Sequence, residues 1–94
     1  MLIWAPSAIA DTNDIWLYIA QDNPDAANRT LERLEDAGSR LARFPRSGRI
    51  GQIGGTRELV VWRTPYILVY RIRGHDVEIA HVVHGARQWP PEKS

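Results

Sequence analysis

Apolar residues recur at helical spacing through the first half of the chain. After a short apolar run at residues 2–4, apolar positions between residues 7 and 21 fall three or four residues apart, which is typical of an amphipathic helix. A second helix is predicted to begin at Asn23, because Asn is a favoured N-cap and Pro24 fits the first helical turn. This helix should end near Phe44, since the residue before a proline disfavours helical backbone. The pattern predicts a short strand followed by a helical hairpin.

The second half of the chain has the pattern of strands. Three runs rich in β-branched and aromatic residues, at residues 57–62, 66–72 and 77–83, are separated by the turn-like segments RTP and RGHD. We expect them to form an antiparallel meander, and we expect the glycine-rich segment 46–56 before them to be a loop. The predicted order is β-α-α-β-β-β. This is an α+β fold in which the helical hairpin packs on one face of a small antiparallel sheet, with residues 1–94 forming a single domain.

The run YILVY, residues 66–70, is apolar on both faces of its predicted strand. A strand that helices cover on one side should be polar on the other. The glycine-rich loop could fold over the open face, or another chain could cover it. We favour another chain, because the first helix also has an apolar arc wider than one stripe.

Charge is distributed unevenly along the chain. The formal net charge is only +1, yet residues 1–42 carry a net of −4 and residues 43–94 a net of +5. Eleven of the twelve basic residues are Arg, whose planar side chain pairs bidentately with carboxylates and phosphates. The second half therefore suits an acidic partner or a nucleic acid, although a preference for Arg codons would also explain the abundance of Arg.

Composition narrows the class of protein. The chain has no Cys, which excludes disulfides and thiolate metal sites. Its N-terminus has neither the basic nor the apolar region of a secretory signal, and its longest apolar runs are too short to span a bilayer. We expect a cytoplasmic protein that has no cofactor and does not bind a membrane.

Candidates for catalysis are few. His81 and His84 have the spacing HxxH, but an odd offset on a strand places two side chains on opposite faces, so we expect no metal site. A metal-free ribonuclease needs a base, an acid and a cation for the charge that develops on the phosphate. Glu58, His84, Arg57 and Arg87 could take these roles if the sheet brings them together. Alternatively, Arg57 and Glu58 are exposed strand residues and Arg87 pairs with a carboxylate.

Four segments cover nearly the whole chain and carry a family pattern. They are SAIADTNDIWLYIAQDNPDAA, LARFPRSGR, GTRELVVWRTPYILVYRI and VEIAHVVHGARQWP. Together they resemble the ParE branch of the RelE/ParE toxin superfamily from bacterial type II toxin–antitoxin modules. The resemblance implies the β-α-α-β-β-β fold and growth arrest through poisoning of DNA gyrase. One departure is Asp11-Thr12, where the family usually shows Asp-Leu.

RelE-like members of the superfamily instead cleave mRNA on the ribosome. They carry an Arg on the central strand where this sequence has Ile67, and a second Arg after a glycine, a position that Arg87 would match. Ile67 cannot stabilise the charge of a phosphorane, so the resemblance favours an inhibitor of a topoisomerase over an enzyme. The alternatives are a ribosome-dependent endoribonuclease that uses Arg87, Arg57, Glu58 and His84, and an inactive homologue that only binds the antitoxin.

The resemblance also implies a partner. ParD-like antitoxins bind DNA through a ribbon-helix-helix part and fold their C-terminal tail on the toxin, so this chain would form a hetero-oligomer and reach DNA only indirectly. The expected antitoxin contacts are Ile9, Trp16, Leu17, Tyr66, Leu68 and Tyr70. The segment HGARQWP would be a docking edge where Arg87, Trp89 and His84 contact the target. For Trp89 the alternative is a structural plug at the open end of the sheet.

Overall fold

Two helices pack on one face of a five-stranded sheet with the strand order β1-β5-β4-β3-β2. The computed structural model describes residues 1–86, 89 and 90. The elements are β1 (Leu2–Trp4), α1 (Pro6–Ala20), α2 (Pro24–Arg43), β2 (Arg49–Ile50), β3 (Arg57–Val60), β4 (Tyr66–Arg73) and β5 (Asp76–His84). The predicted α+β fold, with a helical hairpin on a small sheet, is confirmed.

The sheet differs from the prediction at both of its edges. β1 pairs with β5 in parallel, so the sheet is mixed rather than purely antiparallel. β2 lies inside the segment predicted to be a loop, and it pairs antiparallel with β3 over two residues. A strand of two residues contains too little alternation to be recognised from its sequence pattern, and the pattern of β1 does not show which strand it pairs with.

The helices begin where the sequence predicts them. The Asn23 side chain accepts a hydrogen bond from the Ala26 N–H at 3.1 Å, which satisfies one of the free donors at the start of α2. Only residues 21–23 separate the two helices. The Trp16 indole Nε1 donates to the Asn28 Oδ1 at 2.8 Å and so joins α1 to α2. The hairpin therefore has a polar link on its surface in addition to its apolar contacts.

The core lies between the helices and the sheet. Its fully buried large side chains on this face are Leu34, Leu41, Leu68, Tyr70, Val77 and Ile79. At Gly38 the backbone of α2 comes close to the sheet: a Cβ there would lie 2.7 Å from the Trp4 Cζ2 and 3.1 Å from the Ile79 Cδ1. The absence of a side chain at this position therefore sets how closely α2 packs on β1 and β5.

Side chains of α1 cover the part of β5 that β1 leaves unpaired. β1 pairs only with the beginning of β5. Farther along, the Ser7 hydroxyl donates to the Ala80 carbonyl. The Asp11 Oδ2 accepts the Val82 N–H at 2.9 Å and lies 3.1 Å from the His81 Nδ1. The first helix thus satisfies backbone groups that an uncovered strand edge would expose.

We predict that Gly38→Val lowers the free energy of unfolding by about 1–3 kcal/mol, because the added methyl groups overpack the contact with Trp4 and Ile79. The matched control is Ser39→Val, which places the same residue at the next, exposed position of α2. Urea unfolding followed by circular dichroism would measure both variants. Equal stability of the two variants would contradict the close packing described for Gly38.

A second prediction concerns the uncovered part of β5. Asp11→Ala should lower the free energy of unfolding by about 1–3 kcal/mol, because it leaves the N–H of the buried Val82 without its acceptor. Asp14→Ala, an exposed carboxylate one turn along the same helix, should leave stability nearly unchanged. Thermal unfolding of both variants would measure the difference in stability. A loss in Asp11→Ala alone indicates the specific hydrogen bond, and an equal loss in both variants would indicate a general effect of acidic charge on α1.

Candidate functional site

The two faces of β4 have different surroundings. Tyr66, Leu68 and Tyr70 belong to the core beneath the helices, and Leu68 and Tyr70 are completely inaccessible to solvent. We therefore correct their assignment as antitoxin contacts, because alternation alone could not tell which face the helices would cover. On the other face Ile67 lies opposite Val60 of β3, and Val60 is exposed.

The outer surface of α1 keeps a broad apolar arc. Ile9 and Leu17 are exposed, and Trp16 is half-buried beside them. Tyr18 is also exposed and extends the arc on one side. In the described part of the chain no strand or helix covers these side chains, so α1 is the place where the expected apolar contacts of a partner remain accessible.

Glu58 is a buried structural carboxylate. Its residue is only 3% exposed, so the expectation of an exposed strand residue is wrong for this position. The Glu58 Oε1 accepts from the Arg49 Nη2 at 3.0 Å, and Oε2 accepts the Gln52 N–H at 3.1 Å. Arg57 is half-buried, and its Nη1 donates to the Gly48 carbonyl at 2.8 Å. Both side chains are thus engaged in holding the chain around β2 against β3.

Glu58 and His84 lie on opposite faces of the sheet. His84 is paired with Tyr66 of the core face, and the two rings meet edge-on with their centroids 5.5 Å apart. Glu58 is paired with Val69, which alternates with the core residues of β4. Because paired residues share a face, the carboxylate and the imidazole point in opposite directions. Their Cα atoms are also separated by two strand spacings across the sheet and by three residues along a strand, which corresponds to about 14 Å.

The bonds of His84 are local. Its Nδ1 accepts the Ala86 N–H at 3.0 Å, so this ring nitrogen caps the turn that follows β5. Within the described residues no group of three or more His, Asp or Glu side chains is arranged to hold a metal ion. In the same residues no helix is long and apolar enough to cross a bilayer.

Trp89 packs beside the last residues of β5. Its ring centroid lies 5.3 Å from that of His81, and Trp89 lines a cleft of about 800 Å³ between α1 and β5. The indole Nε1 is buried and has no hydrogen-bond partner among residues 1–86, 89 and 90. This packing agrees with a structural clasp. Arg87, the other half of the predicted docking edge, lies outside the described residues.

The sequence pattern missed a cationic groove between α2 and β3. Phe44 and Trp62 line this groove, and both are exposed. The Arg43 guanidinium lies 5.6 Å from the Phe44 ring centroid, and that of Arg63 lies 4.3 Å from the Trp62 ring centroid. The available signal was the adjacent pairs RF and WR, but only the fold shows that Arg43, Phe44 and Trp62 line one groove.

Known proteins resemble this chain over nearly its full length. A family model described as the ParE toxin of type II toxin-antitoxin system, parDE, matches residues 2–89. The candidate toxin Y4kP of Sinorhizobium fredii is 47% identical over 87 residues, which cover 93% of this chain and 90% of that protein. Toxin RelE2 of Caulobacter vibrioides is 38% identical over 86 residues, which cover 92% of this chain and 96% of that protein.

A solved structure supports the same fold. It comes from the chromosomal ParDE TA system of P. aeruginosa and is similar to this chain with a TM-score of 0.78 at 23% identity. The similarity covers 88% of this chain and 92% of that chain. The similarity to the solved structure supports the fold alone, whereas the family model and the two relatives support membership of a family. The chain belongs to the family of ParE toxins of type II toxin–antitoxin systems.

Proposed function

We propose that the protein arrests growth by poisoning DNA gyrase and does not cleave RNA. The observation that carries this proposal is the separation of the groups that a ribonuclease would need. Glu58 is bound by Arg49 and the Gln52 N–H, and His84 lies on the other face of the sheet. Ile67 occupies the centre of β4, where a cation would have to stabilise the phosphorane.

We also propose that a ParD-like antitoxin neutralises the toxin by covering α1. The exposed arc of Ile9 and Leu17, with Trp16 beside it, supports this surface, because exposed apolar patches of this kind are typical of interaction sites. The ParDE name of the P. aeruginosa system supports the class of partner. The antitoxin's ribbon-helix-helix part would bind DNA, while its tail would bury the apolar arc of this chain.

RNA cleavage on the ribosome is the second candidate. The observation in its favour is the name of the Caulobacter relative, a RelE toxin, at 38% identity. The two candidates differ in the macromolecule that is broken, so one purified protein can be tested for both activities.

We predict that the purified toxin inhibits supercoiling of relaxed plasmid by DNA gyrase and causes protein-linked DNA breaks to accumulate. A ribosome programmed with mRNA should show no cleavage on addition of the same protein, because the acid, base and cation are not assembled. Adding a cognate ParD-like antitoxin should abolish the gyrase effect. Efficient cleavage of mRNA together with unaffected gyrase would contradict the proposal.

We further predict that Arg87→Ala and Trp89→Ala act through different mechanisms. Arg87→Ala should abolish toxicity and gyrase inhibition while stability and antitoxin binding persist, because an arginine at a docking edge contributes strongly to interface energy. Trp89→Ala should cost about 3 kcal/mol of stability, because it removes a large ring that packs on His81.

The control for Arg87→Ala is Arg29→Ala, an exposed arginine of α2. It should retain full toxicity in a growth assay. If Arg87→Ala stays toxic, or loses toxicity only because it unfolds, the segment HGARQWP has a structural role alone.

A further inference from the structure

The groove between α2 and β3 combines exposed aromatic rings with cationic side chains. Its volume is about 790 Å³. The Phe44 and Trp62 rings line it and are 59% and 74% exposed, although aromatic side chains are mostly buried in folded proteins. Its basic lining residues are Arg40, Arg43 and Arg46, and all three are exposed. Neither the gyrase proposal nor the proposed antitoxin surface on α1 uses these side chains.

The charge of the groove is positive and is not balanced locally. No Asp or Glu is among its lining residues in the described part of the chain. Among residues 1–86, 89 and 90, none of the ion pairs involves an arginine of the groove. Elsewhere on the sheet, by contrast, Arg49 pairs with Glu58 and Arg73 pairs with Glu78. The groove therefore presents a positive potential that attracts an anionic ligand.

The turn after β3 holds a cation against the Trp62 ring. The Arg63 guanidinium lies 4.3 Å from the centroid of that ring. Arg63 has a positive φ of 63°, a conformation that is uncommon for a residue with a side chain. The Arg33 Nη1 on α2 donates to the Arg63 carbonyl at 3.3 Å and so ties the turn to the helix. Strained backbone of this kind is frequent at ligand-binding sites, and here it accompanies an exposed ring and a guanidinium held side by side.

Stabilisation of α2 accounts for only part of this arrangement. Basic side chains in the last turn of a helix interact favourably with the helix dipole, and Arg40 and Arg43 are in that position. Arg46 and Arg63 lie beyond the end of the helix, where this effect has faded. The dipole also gives no reason for two large rings to remain exposed to water. The combination of cations and rings therefore calls for a ligand.

We propose that the groove between α2 and β3 binds single-stranded nucleic acid. The phosphates would pair with the guanidinium groups, and unpaired bases would stack on the exposed rings of Phe44 and Trp62. In a duplex the bases stack on one another and their flat faces are unavailable, so the exposed rings favour a single strand. This contact with nucleic acid is direct, unlike the one made through an antitoxin, and it does not depend on the gyrase proposal.

An acidic protein segment is the competing ligand. Its carboxylates would pair with the arginines, but carboxylates have no flat face to stack on the two rings. Every nucleobase offers such a face to an aromatic ring, and an adjacent arginine adds cation–π attraction. Arg43 beside Phe44 and Arg63 beside Trp62 provide two such combinations, which favours the nucleic acid.

The first test measures binding of the isolated full chain to labelled oligothymidylate of about eight nucleotides, a length that one small domain can cover. Contacts of three arginines with phosphates predict a slope of about −2 for the logarithm of the binding constant against that of the salt concentration. The double variant R40Q/R43Q should lower the affinity at least about tenfold at low salt and reduce the slope to about −0.7. The control R29Q/R73Q removes the same charge at exposed positions outside the groove and should bind like the wild type.

The fluorescence of Trp62 tests stacking directly. A base that stacks on an indole quenches its emission, so oligothymidylate should quench the wild type. Trp62→Phe should lose this quenching but keep most of the affinity, because a phenyl ring still stacks, whereas Trp62→Ala should weaken binding about tenfold. Trp16→Phe, which removes an indole on α1, should leave the quenching unchanged. If Trp62→Ala does not fold, Trp62→Phe and the arginine variants decide the question.

The choice of ligands separates the outcomes. A duplex of the same length should bind more weakly than the single strand. A preference between oligothymidylate and oligouridylate identifies the strand as DNA or RNA, and either result supports the proposal. Equally tight binding of polyglutamate would assign the groove to an acidic protein segment and overturn the proposal. Equal affinity for the duplex, unchanged affinity of R40Q/R43Q, or absence of quenching in the wild type would also overturn it.

Discussion

The hydroxyl of Tyr70 is the constraint on which one half of the molecule depends. The ring lies at the centre of the sheet and is completely buried beneath the helices. A buried hydroxyl without partners is costly, and a backbone carbonyl and N–H from the segment after α2 satisfy this one. The chain must therefore turn back over Tyr70 as soon as α2 ends.

The close approach to Tyr70 determines the path of the chain after α2. A Cβ at Gly48 would lie 2.6 Å from the Tyr70 hydroxyl oxygen and 2.8 Å from the Glu58 carbonyl oxygen, so glycine is required for this turn. The next residue, Arg49, is then placed to pair with the buried carboxylate of Glu58. Pro45, Arg46 and Ser47, which the Tyr70 hydroxyl holds in place, line the groove between α2 and β3, so a hydrogen bond in the core contributes to the shape of a surface groove.

Local patterns predicted the parts of the fold that local interactions determine. The Asn23 cap, the helix end before Pro45 and the β4–β5 meander all depend on a few neighbouring residues. The pairing of β1 with β5 joins residues more than seventy positions apart, and hydrophobic alternation contains no information about it. Register and coverage of the sheet therefore had to come from the structure.

The candidate site was harder to predict for the same reason. Glu58 looks like an exposed strand residue in its own segment, and its burial becomes intelligible only with Arg49 and Gln52 beside it. Asp11 looks like a surface charge of an amphipathic helix until Val82 is placed next to it. Asp11 accepts a hydrogen bond from a residue distant in sequence, and Glu58 accepts hydrogen bonds from residues that a loop folds back beside it. The periodicity of one segment could not show this.

The surroundings of Glu58 and His84 separate two side chains that a metal-free ribonuclease would have to bring together. An arginine at position 67 would put a cation on the other face of β4, but the Glu58 carboxylate would still form an ion pair with Arg49. His84 would still lie on the helix-facing side, engaged with Tyr66 and the Ala86 N–H. Three separate environments would have to change before these side chains met at one phosphate. The surface features described above lie at the borders of the sheet: the apolar arc of α1, the ring of Trp89 beside β5 and the groove between α2 and β3.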